Sequence, residues 1–300
     1  MNALPRHCGG GDCQPAAEAA NGTLGDKQSH LLELIRSFGR CAVAYSGGVD
    51  SAVVAKAAHL ALGVNALAVT GVSASLAEGE LEGASHLARL IGIRHEVIRT
   101  DEFASGDYTQ NAPDRCYHCK SELYTQLEQL RARVAADYVL ANGANVDDLG
   151  DYRPGMQAAA EHAVRSPLAE CGFSKDDVRA LAAAWELPVW DKPASPCLSS
   201  RVAYGEEVTP ERLAMIDRAE QYLRGLGLSS VRVRYHRGDL ARLEVPVEAI
   251  GRLAAEPVRG ELVAHLKGLG FKFVTLDLEG FRSGSLNALV SLKLDAVTTR

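Results

Sequence analysis

Three hundred residues, 47% hydrophobic and 23% charged, give room for two domains or one large one with a full core, in a composition ordinary for a globular protein. A net charge of −6 counts against a broad nucleic-acid footprint; with no apolar run long enough to span a membrane and no secretory signal pattern, a cytoplasmic protein is expected. Seven cysteines, an odd number, do not read as a disulfide framework and point to thiol or metal chemistry.

Residues 1–27 are rich in Gly, Ala and small polar residues without hydrophobic periodicity, and read as a tail. His7, Cys8 and Cys13 within it are either incidental or a metal site. Leu31, Leu32, Leu34, Ile35 and Phe38 then form a helical apolar face that ends at Gly39. Next come a short apolar strand from Cys41 to Tyr45, the loop Ser46-Gly47-Gly48-Val49-Asp50-Ser51, and a helical pattern over Ala52–Ala58. Glycines here let backbone N–H groups approach an anion, and the helix start adds unpaired donors and partial positive charge. Ser46 and Ser51 add hydroxyl donors for phosphate, while Asp50 suits Mg²⁺ or the loop's own N–H groups. The absence of GxxxxGK[ST] disfavours a γ-phosphate-cleaving P-loop enzyme.

Further strands are expected at Ala66–Thr70, Arg94–Ile98 and Ala136–Leu140, with a helix over Leu76–Leu90 between the first two. Strands alternating with helices predict a parallel sheet covered on both faces, with ligands at the carboxyl ends of its strands. Two more polar loops fall at such ends, Thr70–Ser75 and Asn142–Asp148; Asp147 and Asp148 are either nucleotide or Mg²⁺ contacts or a solvated turn. Cys116 and Cys119 form a C-x-x-C beside Arg115 and Lys120, and nearby cations favour the thiolate. The pair could bind Zn²⁺, hold an iron–sulfur cluster or cycle as a dithiol, in each metal case with ligands from elsewhere. Ser174 caps a helix over Asp176–Trp185 that Pro188 stops. Pro193 and Pro196 then hold Cys197 in an irregular exposed segment with Arg201 four residues on, whereas Cys41 and Cys171 look like ordinary buried thiols.

Beyond Gly205 the pattern changes to a smaller α/β unit: a helix over Pro210–Leu226, strands at Val231–Tyr235 and Leu240–Val245, helices to Leu269 and a strand over Phe271–Leu278. Arg232 and Arg234 share a face of their strand, as period two requires, and either flank a substrate phosphate or belong to a salt-bridged surface. The domain boundaries read from this are 1–27 tail, 28–205 nucleotide domain, 206–282 smaller substrate or oligomerisation domain, and 283–300 tail.

SGGVDS at 46–51 resembles the PP-loop of the ATP pyrophosphatases, which cleave ATP between the α- and β-phosphates and adenylate a carboxylate or carbonyl oxygen. With TGVSAS at 70–75, PDRCYHCK at 113–120, NGANVDDLGDYRPG at 142–155, RSPL at 165–168 and WDKPASPCLSSRVAYG at 190–205, residues 30–280 resemble a narrower family. This is the LarE type of ATP-dependent sulfur transferase, which builds the nickel-pincer cofactor of lactate racemase. The resemblance implies an adenine nucleotide alpha-hydrolase-like α/β fold and adenylation of pyridinium-3,5-biscarboxylic acid mononucleotide by ATP·Mg²⁺. A sulfur atom would then displace AMP. By similarity Ser46, Gly47, Gly48, Asp50 and Ser51 bind ATP, and Ser200, Arg201, Glu220, Arg232, Arg234 and Glu244 serve the substrate. Cys197 supplies or binds the sulfur. A lone cysteine there implies sacrificial transfer; the trio Cys116, Cys119 and Cys197 resembles the kind that holds a [4Fe–4S] cluster and takes external sulfide. The resemblance thus implies a small-molecule substrate, a sulfide donor and a homo-oligomer, without nucleic acid or membrane. The alternatives are a tRNA thiolase, an amidating synthetase, or a nucleotide-binding metalloprotein without activity.

Overall fold

The computed structural model describes residues 22–134, 137–149, 154–193, 195–282 and 285–287. His7, Cys8, Cys13 and most of both expected tails lie outside them, as does Ala136 at the start of an expected strand. Helix α1 (Leu24–Ser37) begins inside the stretch read as tail, because Thr23 and Asp26 form a capping box that satisfies the first N–H groups. Then follow β1 (Cys41–Ala44), α2 (Val49–Leu62), β2 (Ala66–Val72), α3 (Glu80–Ile91), β3 (Arg94–Arg99), α4 (Gly106–Thr109), α5 (Arg115–Val134) and β4 (Val139–Ala141). After these come α6 (Pro154–Glu161), α7 (Pro167–Glu170) and α8 (Lys175–Ala184).

The four strands form one parallel sheet in the order β3-β2-β1-β4, with Cys41 of β1 opposite both Ala66 and Val139. The chain leaves β1 for β2 on one side and returns to β4 on the other, so the crevice where topology switches opens beside β1. One face is covered by α1, α2, α3 and α8, and α2 offers it Ala52, Val53, Val54, Ala55, Ala57 and Ala58, all buried. These small side chains let α2 run close to the sheet, which brings its N-terminus to the end of β1. Tyr124 and Leu127 of α5 and Ala158 and Ala159 of α6 cover the other face.

The remaining elements are α9 (Pro210–Gly225), β5 (Arg232–His236), β6 (Leu240–Glu244), α10 (Val247–Ala254), α11 (Val258–Gly268) and β7 (Phe273–Leu276). Strand β6 pairs antiparallel with β5 and parallel with β7. Leu213, Ile216 and Leu223 of α9 pack on this sheet with Leu253 and Leu266. Tyr108, Leu198 and Val202 belong to the same core, so the segment after Cys197 is built into the second unit as well as the first. No helix among the described residues is long and apolar enough to cross a membrane.

Candidate active site

The loop after β1 is shaped by close contacts. Gly47 has φ +74°, and a Cβ there would lie 2.9 Å from Ala84 Cβ and 3.0 Å from its Cα. Gly48 is the N-cap of α2 and forms no side-chain cap bond, which leaves the helix's first N–H groups for an anion. Ser51 Oγ accepts from Ser46 N (3.2 Å) and donates to Gly48 O (3.0 Å), holding the turn closed on itself. All five loop residues carried over for ATP therefore surround one helix N-terminus.

Asp50 has different partners from those expected. Its Oδ2 pairs with Lys175 Nζ at 2.5 Å and its Oδ1 accepts from Asn145 Nδ2 at 3.1 Å. Lys175 escaped the sequence reading. The available signal was a lysine in the first turn of α8, where acidic residues are favoured by the helix dipole. Asp147 and Asp148 each give one oxygen to a backbone N–H: Asp147 Oδ2 accepts from Lys175 N (2.7 Å), and Asp148 Oδ2 accepts from Asn145 N (3.0 Å).

The fold brings the three candidate thiols into one neighbourhood, close enough for Cys197 and Cys116 both to act on Cys119. Cys116 and Cys197 are exposed and Cys119 is half-buried. Burial pushes the Cys119 thiol up to about 12, with Cys197, Glu102 and Cys116 adding to the shift and Lys120 opposing it. The expectation that basic neighbours favour the Cys119 thiolate is thus corrected: desolvation outweighs them. Arg115 is buried and donates to Asn111 Oδ1 and Ser199 O, both at 2.6 Å. Burial by itself would lower its pKa, but Cys197, Cys116, Tyr108 and Tyr204 more than offset it and hold it above its ordinary value. Among the described residues no group of three or more His, Cys, Asp or Glu side chains is arranged to hold a metal ion. Cys41 and Cys171 are buried thiols, each pushed up to about 12 chiefly by burial.

The residues carried over for the substrate also converge. Arg201, 1% exposed, donates from Nε to Glu220 Oε1 (3.1 Å) and from Nη1 to Cys197 O (3.0 Å), Ser200 Oγ (3.1 Å) and Pro196 O. Glu220 is fully buried and also accepts from Arg224 Nη2 (2.9 Å) and Val233 N (3.1 Å). Arg234 donates to Ser200 O (3.0 Å), Glu244 Oε2 (2.8 Å) and Ser285 Oγ (3.1 Å). Its Nε is buried with no hydrogen-bond partner among the described residues. Burial lowers the Arg232 pKa to about 10, with Arg201, Arg234 and Arg224 adding to the shift against Glu220. Glu220 and Glu244 are therefore counter-charges buried beneath the arginines. Ser285 corrects the tail assignment for its position, since it joins Arg234 and Glu244.

Residues 34–149 match the family model for NAD synthase. A protein of Synechocystis sp. with no assigned activity is 50% identical over 268 residues, 89% of this chain and 99% of its own length. The pyridinium-3,5-bisthiocarboxylic acid mononucleotide synthase of Lactiplantibacillus plantarum is 39% identical over 266 residues, 88% of this chain and 95% of its own. A tRNA-specific 2-thiouridylase of Xanthobacter autotrophicus is 34% identical over 198 residues, 52% of this chain and 49% of its own. At 39% identity to that synthase over most of both chains, the chain belongs to the LarE-type ATP-dependent sulfur transferases, within the PP-loop enzymes.

Proposed function

We propose that the protein converts a carboxylate of pyridinium-3,5-biscarboxylic acid mononucleotide to a thiocarboxylate for a nickel-pincer cofactor, in the cytoplasm and as a homo-oligomer. The observation that carries the substrate assignment is the arginine cluster: Arg234 Nε is buried with no hydrogen-bond partner among the described residues, and Arg232 is crowded by three other guanidiniums. Such a site favours an anion, and the mononucleotide brings a phosphate. ATP binds with its phosphates on the Ser46–Ser51 loop and the N-terminus of α2. Asp50 offers a carboxylate for Mg²⁺ and Lys175 a cation for phosphate. A carboxylate is a poor electrophile; adenylation converts it to an ester from which AMP leaves readily, and pyrophosphate departs. Arg201 then holds the Cys197 segment beside the arginine cluster, so sulfur and substrate are presented together.

By donor chemistry, though not arranged as a metal site here, Cys116, Cys119 and Cys197 suit a [4Fe–4S] cluster: three soft sulfur donors, with no fourth cysteine alongside among the described residues. Bound there, the cluster would offer an open iron for external sulfide. Purified without oxygen, the protein is expected to be brown, with about four irons per chain. With ATP, the mononucleotide and sulfide it should release pyrophosphate and make more thiocarboxylate than there are chains. An iron-free protein that stops at one product per chain, with Cys197 lighter by H₂S, would replace the cluster by sacrificial transfer. Absence of mononucleotide-dependent pyrophosphate release, or thiolation of tRNA instead, would overturn the substrate assignment.

The arginines give a second test. Arg232→Ala should weaken mononucleotide binding by roughly ten- to a hundred-fold, the worth of a charge-assisted contact, and leave ATP binding far less affected. Equilibrium titration with each ligand measures both. Equal affinities in wild type and variant would move the phosphate site elsewhere.

A further inference from the structure

Glu102 lies in the turn after β3, at the carboxyl end of the sheet, and is 3% exposed. Ser73 Oγ and Ser75 Oγ both donate to its Oε1, at 2.5 and 3.0 Å. Its Oε2 is buried with no hydrogen-bond partner among the described residues. Two hydroxyls on one oxygen fix the orientation of the carboxyl group without engaging the other oxygen. A buried acceptor left open in this way calls for a donor from a ligand.

The surroundings indicate which ligand. Ser75, which holds Glu102 through its hydroxyl, accepts Leu198 N through its carbonyl at 2.9 Å, so one residue joins Glu102 to the segment carrying Cys197. Phe103, next in the turn, packs edge-on against Tyr108 (5.1 Å between centroids), and Tyr108 OH bonds Ser199 Oγ at 2.6 Å. The Glu102 turn is thus built against the sulfur segment from two sides.

We propose that Glu102 is a catalytic residue of the sulfur step, its open Oε2 accepting the S–H proton of hydrogen sulfide as the sulfur attacks the adenylated carboxyl carbon. This rests on the sulfur-transfer reading above with external sulfide as the donor, and the step is written for free hydrogen sulfide. A sulfur lone pair forms the C–S bond, and the bond from that carbon to the AMP oxygen breaks with its electron pair. One S–H proton passes to Glu102 and then to solvent, and the thiocarboxylic acid loses the other to solvent. No oxidant or reductant takes part.

The decisive variant is Glu102→Gln, which keeps an acceptor oxygen for Ser73 and Ser75. Quenched-flow analysis well below the first ionisation of hydrogen sulfide, with ATP, the mononucleotide and sulfide, should show thiocarboxylate formation lowered by about 100-fold or more, as for loss of a general base. That loss should exceed any loss of pyrophosphate release, and mass spectrometry should detect accumulated acyl-adenylate. Raising the pH through the first ionisation of hydrogen sulfide should restore much of the variant's rate and little of the wild type's, because solvent then supplies the anionic nucleophile. Glu102→Asp, which retains the carboxylate, should keep more activity than Glu102→Gln. A Gln variant with wild-type thiocarboxylate formation, or one losing both steps equally without rescue by pH, overturns the role. Wild-type protein that forms no thiocarboxylate overturns the transferase reading itself, and this role with it.

Discussion

Glu220→Gln should lower the unfolding free energy by about 3–5 kcal/mol, the cost of leaving a buried charge cluster without its counter-ion. Glu220 is fully buried and accepts from Arg201, Arg224 and the backbone of Val233. Glutamine retains one acceptor oxygen but places an NH₂ group against guanidinium donors. Arg201 and Arg224 would then face each other and Arg232 across a site of low dielectric. Urea denaturation at neutral pH measures the loss. A change below about 1 kcal/mol, as at an exposed pair, would mean that water screens the cluster and that Glu220 is not its keystone.

Gly143→Ala should cut mononucleotide-dependent pyrophosphate release by roughly 10²–10³-fold, the scale seen when preorganised donors are displaced. A Cβ at Gly143 would lie 2.7 Å from Ser51 N and 2.9 Å from Asp50 C. Both are backbone atoms of the first turn of α2 and cannot rotate away. The extra methyl would therefore push the phosphate loop from the β4 side while the sheet stays folded. Gly83→Ala is the control, since nothing lies within 4 Å of its added Cβ in α3. Circular dichroism should find both variants folded, and a fully active Gly143→Ala would show that the loop tolerates displacement.

What was readable in the sequence was local. The strand–loop–helix around Ser46–Ser51 announced itself by an apolar run, small residues and a change of period, and the structure contains it. Period two correctly put Arg232 and Arg234 on one strand, but that Glu244 lies opposite Arg232 depends on the β5–β6 register. Helix α3 starts at Glu80 instead of Leu76 because the intervening residues turn through Gly79 at φ +83°. Residues whose role comes from burial were invisible. Glu102 sits among Asp101, Ser105 and Asp107 and reads as a solvated turn until Ser73 and Ser75 close over it. Lys175 and Ser285 acquire partners distant in sequence, Asp50 and Glu244. That Asp147 and Asp148 each give an oxygen to a backbone N–H was likewise not readable from their spacing.

The segment from Cys197 to Ala203 is held at its two ends by different parts of the fold: Leu198 N donates to Ser75 O in the loop after β2, and Ala203 N donates to Tyr235 O in β5. Arg201 fastens its middle to Glu220. Its position is therefore shared between the Thr70–Ser75 loop and the arginine cluster. By thermodynamic reciprocity, whatever factor a ligand at β5 gains by ordering this segment is returned as tighter binding of any partner that needs the same arrangement on the other side. Under the function proposed above, recognition of the substrate and readiness of the sulfur are coupled through this one segment.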